Sequence, residues 1–290
     1  MPFSQLCTFK IHLAVLLLLS LYTVNSIADT SIPDYRQMAQ LAEYVGVDYP
    51  EAVDNGEVIN NGEYQEMLEF SSILVEQAKS SGVNTLISKA QMLETAILEK
   101  QSPVVIQQLC SQFRSDLLEH MPQTALTQQL LPMTETQSLF QSHCSACHGT
   151  QGKGNGPASA GLEPPPTDFT DRARALNRSI LGLYDAISNG IDETAMVAYE
   201  QLSEQQRWSL AFYAGSLAFE GKSGVIASTP GLTLERLINH SPSQLANGDS
   251  NTLEKVAQLR ASPQALFSSS RSPLGIARNQ LLAARTAYEN

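Results

Sequence analysis

The sequence predicts an all-α chain in three parts: an acidic helical bundle over residues 29–132, a second helical domain over 133–222, and a mostly irregular polar tail over 223–290. Three observations carry this reading. Apolar residues recur at helical spacing, with Gly82, Pro103 and Pro122 as punctuation. Charge is unevenly spread: 15 acidic against 5 basic residues from Asp29 to Pro132, 10 against 6 from Met133 to Lys222, and 4 against 6 beyond it. Without its leader the chain keeps about 260 residues, enough for one large or two small domains.

Residues 1–28 read as a cleaved secretory signal peptide. A weakly basic start with Lys10 is followed by the apolar "LAVLLLLSLYTV" and by small residues in "SIA" before Asp29. The apolar run is shorter than the roughly 20 residues of a membrane-spanning helix, so an uncleaved anchor is the weaker alternative. No later stretch approaches that length, and the mature chain is expected in the periplasm. Cleavage removes Cys7 and leaves Cys110, Cys144 and Cys147. The acidic balance argues against nucleic acid, which needs a basic footprint, and favours metal cations or basic protein partners.

In the first part, "SIPDYRQMAQLAEYVG" offers Ser31 as a cap, Pro33 in the first turn and Gly46 as a stop. Helices are expected from Glu63 to Ser81, Asn84 to Lys100 and Pro103 to Met121, and the short connections favour antiparallel neighbours. In the last of them Ile106, Cys110, Phe113 and Leu117 share one face, which places Cys110 in the core as a small hydrophobe.

The chemistry concentrates in "HCSACHGTQGKGNGP", residues 143–157. A thioredoxin-like dithiol belongs to a strand-and-helix alternation, whereas "TETQSLFQSHCSACH" is helical throughout. Structural zinc draws ligand pairs from two separated segments, and His143, Cys144, Cys147 and His148 span six contiguous residues. Covalent haem attachment needs what is present: Cys144 and Cys147 about one helical turn apart for two thioethers, and the His148 imidazole beside them for iron. One motif implies one haem c per chain. For the open axial position, Met196 is the methionine that follows the motif, in the polar loop "NGIDETAMVAY". His143 abuts the attachment point, His120 belongs to the bundle and His240 lies in the tail, so Met196 is the candidate sixth ligand. Thioether ligation raises the reduction potential relative to a second imidazole and suits electron transfer.

With those residues in view, 133–222 resembles a class I cytochrome c domain. The stretches "SLFQSHCSACHG", "GKGNGPASAGLEPPPTDFTD", "ILGLYDAISNG", the methionine loop and "LSEQQRWSLAFYAGSL" occur in that family's order. The resemblance implies a small helical fold around haem, with Leu139 and Phe140 packing near Trp208, Phe212 and Tyr213. It also implies a proline carbonyl that accepts a hydrogen bond from the ligating imidazole. Pro157 is the candidate, with Pro164 to Pro166 as alternatives; such a contact fixes the tautomer. Thr136 stands where the family often has glycine at a helix contact.

A wider resemblance rests on "LAEYVGVDYPEAVDNGEVINNGEYQEMLEF". It is similar to the extracytoplasmic front part of bacterial proteins that join a cytochrome c domain to a high-affinity iron permease. The permease is absent here, since there are no further membrane helices and no Arg-Glu-x-x-Glu motif, which leaves a truncated or split member, or a cytochrome that has lost the association, as the two readings. Its partners would be a redox protein, a separate membrane permease and iron ions. A general respiratory carrier with an unrelated helical extension is the alternative. An enzyme such as a peroxidase is disfavoured, because filled axial positions leave no site for peroxide.

Between Tyr44 and Phe70 the chain gathers Asp48, Glu51, Asp54, Glu57, Glu63, Glu66 and Glu69. Glu63 and Glu66 lie near one helix face and are candidate iron ligands, oxygen donors suiting hard cations. A solvated acidic face is the alternative. The tail is rich in Ser and Asn and reads as a linker, with one short amphipathic helix marked by Ile276, Leu281, Leu282 and Tyr288.

Overall fold

The computed structural model describes residues 34–121, 129–191, 194–221 and 232–268. The expected signal peptide at 1–28 and the expected amphipathic helix at 276–288 lie outside the described residues. The fold is all-α, with one two-stranded hairpin.

Helix α1, Tyr35–Ala52, starts at Asp34, whose side chain accepts from the Arg36 and Gln37 amides. It runs straight through Gly46, the expected stop. A Cβ at Gly46 would lie 3.0 Å from Cys110 Cβ, so this glycine serves close helix packing. After α1 comes a hairpin of Val53–Asp54 (β1) and Glu57–Val58 (β2), turned by Asn55 and Gly56, both with positive φ. Then follow α2, Asn61–Ser81, α3, Asn84–Leu98, and α4, Pro103–His120. Asn60 caps α2, and Gly82 in the left-handed region ends it. Helix α1 packs on α2 and α4, and α3 packs on the same two, closing a four-helix ring. Its core holds Met38, Met67, Phe70, Leu74, Leu93 and Phe113, with Cys110 on the apolar face where its spacing put it.

In the second part, α5, Met133–His143, leads into the single turn α6, Ser145–His148. Next come α7, Arg172–Asn177, α8, Ile180–Asn189, and α9, Glu204–Ala214. Helix α9 packs on both α5 and α8. Their core is aromatic: Tyr184 stacks on Trp208 at 3.9 Å, and Phe140 meets Tyr213 edge to face at 5.2 Å. Thr136 is buried in α5, with its hydroxyl returned to the Pro132 carbonyl.

The tail departs from the linker expectation. Residues 234–268 form α10, Leu234–Asn239, α11, Pro242–Ala246, α12, Ser250–Ala261, and α13, Pro263–Ser268. The polar residues that suggested a linker are caps: Thr233, Ser241 in a capping box with Gln244, and Asp249. Ile238 and Phe267 are buried in the same core as Trp208 and Phe212, so this segment is part of the folded body. Among the described residues no helix is long and apolar enough to cross a membrane.

Candidate functional site

The site is built around α6. Cys144 ends α5, its amide bonded to the Phe140 carbonyl at 2.9 Å, and the Cys147 and His148 amides both return to the Cys144 carbonyl. One turn therefore carries two thiols and an imidazole. Gly149, at φ 74°, stops it. The following loop is stitched to the turn by Gly154 N to His148 O (2.9 Å), Gly156 N to Cys147 O (3.0 Å) and Ala158 N to Ala146 O (2.8 Å). A Cβ at Gly156 would fall 2.2 Å from the Ala146 carbonyl, so only glycine allows this approach.

That stitching corrects one expectation. Residues 156–158 are fastened to the outside of the turn, and Pro157 is exposed. The carbonyl beside the imidazole is that of Thr167, 3.0 Å from His148 Nδ1. The chain returns there because Phe169 N donates to Gly152 O at 2.7 Å and Lys153 bridges to Asp168. Since a carbonyl only accepts, Nδ1 carries the proton and Nε2 presents its lone pair. Burial pulls the His148 pKa down, outweighing the Thr167 bond, and so favours the neutral, ligating form. Phe169 stacks on the imidazole at 4.6 Å and braces its plane.

The methionine loop starts at Gly190, at φ 76°, and closes with Ile191 N to Met196 O at 2.9 Å. The Met196 amide donates to Thr194 Oγ1, and Tyr199 anchors the far end through its hydroxyl to the His143 carbonyl at 2.7 Å. Cys144, Cys147, His148 and Met196 line one cavity, together with Phe140, Phe169, Leu162, Ile187 and Leu210. Burial, with Cys147 nearby, raises the Cys144 thiol to about 12. A mostly apolar cavity lined by two thiols on one turn, a tautomer-fixed imidazole and a thioether fits covalently bound haem.

Glu63 and Glu66 lie on α2 near Asp48 and Tyr44 of α1. Burial first, then Glu63 and Asp48, pushes Glu66 up to about 7, and burial likewise raises Glu63 and Asp48. Asp48 is sealed against Arg174 of α7. Among the described residues no three His, Cys, Asp or Glu side chains converge as a metal cage. The carboxylates thus form a coupled acidic edge beside the cavity, while Tyr44 lines the cavity itself. Sequence reasoning gave no role to Thr167, Phe169, Tyr44 or Tyr199, although each lies in a stretch that carries a family resemblance.

Residues 133–218 match the family model of cytochrome c, and residues 33–124 match that of the iron permease-associated 4-helix bundle domain. Neither a curated protein nor a solved structure matches the chain. This chain therefore joins an iron permease-associated 4-helix bundle domain to a cytochrome c domain.

Proposed function

We propose that the chain is a periplasmic monohaem electron-transfer protein serving iron uptake, with its haem bound through Cys144 and Cys147 and ligated by His148 and Met196. The observation that carries this reading is the single cavity in which all four side chains meet. When bound, haem c supplies a one-electron couple. The chain's own residues do the rest. Thr167 O holds the His148 proton at Nδ1, Phe169 braces the ring, and the loop closed between Ile191 and Met196 keeps the thioether in the lining of the same cavity. Phe140, Ile187 and Leu210 exclude water, which favours the less charged reduced state.

The iron link is supported by the matched bundle domain and by the paired carboxylates Glu63 and Glu66 on α2. Ferrous iron held there would deliver one electron to the haem and leave as ferric iron for a separate permease. Electron transfer, rather than catalysis on a bound substrate, suits one cavity lined by His148, Met196 and both thiols.

Wild-type holoprotein is expected to keep its haem through acid acetone extraction, and Cys144→Ser with Cys147→Ser to lose it. Met196→Ala should abolish the weak red band of methionine-ligated ferric haem and lower the potential. Anaerobic ferrous iron should reduce the oxidised protein, more slowly in Glu63→Ala and Glu66→Ala. Haem released by acetone refutes the attachment, and equal rates in all three proteins refute the acidic edge as the iron site.

A further inference from the structure

Helix α1 belongs to the bundle, yet one stripe of it faces the cytochrome domain. Arg36, Gln40, Glu43, Tyr44 and Asp48 lie at helical spacing on that stripe. Arg36 pairs with Asp185 at 2.5 Å, and Gln40 Nε2 donates to the Gly190 carbonyl at 2.8 Å. Glu43 accepts from the amide and hydroxyl of Ser179, and Asp48 pairs with Arg174. Anchors thus stand on both sides of Tyr44.

Tyr44 is itself fixed. Its ring is 6% exposed and meets Phe70 edge to face at 5.4 Å, with the Arg178 guanidinium 5.9 Å over it. Burial, then Asp48 and Glu66, drives its pKa far above the ordinary tyrosine value, so it stays a neutral phenol. Among the described residues of 34–121 it alone lines the cavity shared by His148 and Met196. Gln40 reaches the same site by another route. Its acceptor, Gly190, is the root of the methionine loop, where a Cβ would lie 2.7 Å from the Met196 carbonyl.

We propose that α1 is an integral part of the haem site: Tyr44 is the wall that closes the cavity on the bundle side, and Gln40 is a positioning residue that holds the Met196 loop through Gly190. The Gln40 half rests on Met196 being the axial ligand; the Tyr44 half does not. A solvent-excluding wall tunes the potential through burial, and an outer hydrogen bond orients a ligand. A displacement of the bundle is then a change in the surroundings of the haem.

The test uses the full-length holoprotein. In wild type labelled with 13C-tyrosine, the Tyr44 ring signals, assigned by their loss in Tyr44→Phe, should shift between ferric and ferrous states. Tyr44→Leu should bind cyanide to ferric haem several-fold faster and show a lower midpoint potential, while Tyr44→Phe keeps both near wild type. Gln40→Glu preserves size but removes the donor. It should weaken methionine binding about tenfold, read as a fainter red band and displacement of methionine at lower pH, with covalent haem content unchanged. Redox-insensitive Tyr44 signals, or wild-type cyanide rates in Tyr44→Leu, overturn the wall. An unchanged band in Gln40→Glu overturns the positioning role. A wild type that lacks the band overturns that role together with the Met196 reading, and leaves Tyr44 to be judged by its own two measurements.

Discussion

The Ser179 hydroxyl donates to Glu43 Oε2 at 2.6 Å, so the residue that caps α8 in the cytochrome domain is held by a bundle carboxylate. The Ser179 amide donates to the other oxygen at 2.9 Å. Arg114 of α4 completes the node: its Nε lies 3.0 Å from Glu43, and its two Nη groups donate to Ser179 Oγ and to the Asn239 carbonyl. Bundle, cytochrome domain and C-terminal segment meet at this point, and both charged side chains are under 5% exposed.

Removing one partner of this pair leaves the other charge buried and uncompensated, at a cost of roughly 3–5 kcal/mol. Glu43→Ala should lose about that much in urea denaturation. Gly182→Ala tests the same node sterically, because its Cβ would fall 2.2 Å from Glu43 Oε1. Overpacking of this kind costs about 1–3 kcal/mol, and a Gly182→Ala protein as stable as wild type would refute the geometry.

Asp185 contributes a pH dependence. Burial raises its pKa from 3.8 to about 6 despite the Arg36 guanidinium at 2.5 Å. The native state therefore binds more protons than the unfolded state between those values, and the Asp185 contribution to stability is full below about pH 4 and lost as pH rises through about 6. Asp185→Asn lacks this proton. The stability of wild type minus that of Asp185→Asn should fall over this window, by at most about 1.4 kcal/mol per pH unit. A difference that rises with pH contradicts the assignment.

At Gly46 the sign of a small substitution is diagnostic. A glycine inside an exposed helix normally gains roughly 0.5–1 kcal/mol on replacement by alanine. Here the new Cβ would press on Cys110 Cβ at 3.0 Å, so Gly46→Ala should destabilise, and thermal melting should show a lower Tm. A higher Tm would mean that Cys110 yields to the new Cβ and that Gly46 is not needed for close packing.

Phe267 tests whether the C-terminal segment belongs to the cytochrome core. It is 2% exposed and meets Phe212 edge to face at 5.4 Å. Phe267→Ala should cost about 3–5 kcal/mol, a value that a solvated linker could not give. Denaturation followed by Trp208 fluorescence would report it in the core itself.

What the sequence determined by itself is local chemistry. Cys144, Cys147 and His148 lie within one turn, so their juxtaposition needs no knowledge of the rest of the chain. The last three bundle helices were legible to within a few residues, because helical spacing and the punctuation at Gly82 and Pro103 act over three or four positions, whereas α1 runs on past Gly46, its expected stop, to Ala52. Met196 could be singled out by elimination, though its place in the cavity that His148 also lines depends on how Gly190 and Tyr199 fold the loop.

Tertiary structure decided whatever depends on contacts distant in sequence. Thr167 replaces Pro157 at the imidazole because glycine-dependent stitching at Gly156 spends the nearer segment on the surface of α6. Serine and asparagine caps look the same in a linker as at helix ends, and only the burial of Ile238 and Phe267 separates the two. Gln40, Glu43 and Tyr44 read as ordinary positions of an acidic helix until Gly190, Ser179 and the haem cavity, more than 90 residues away, are packed against them. A buried polar side chain must find a partner, and which partner is a property of the docked domains, not of the helix that carries it.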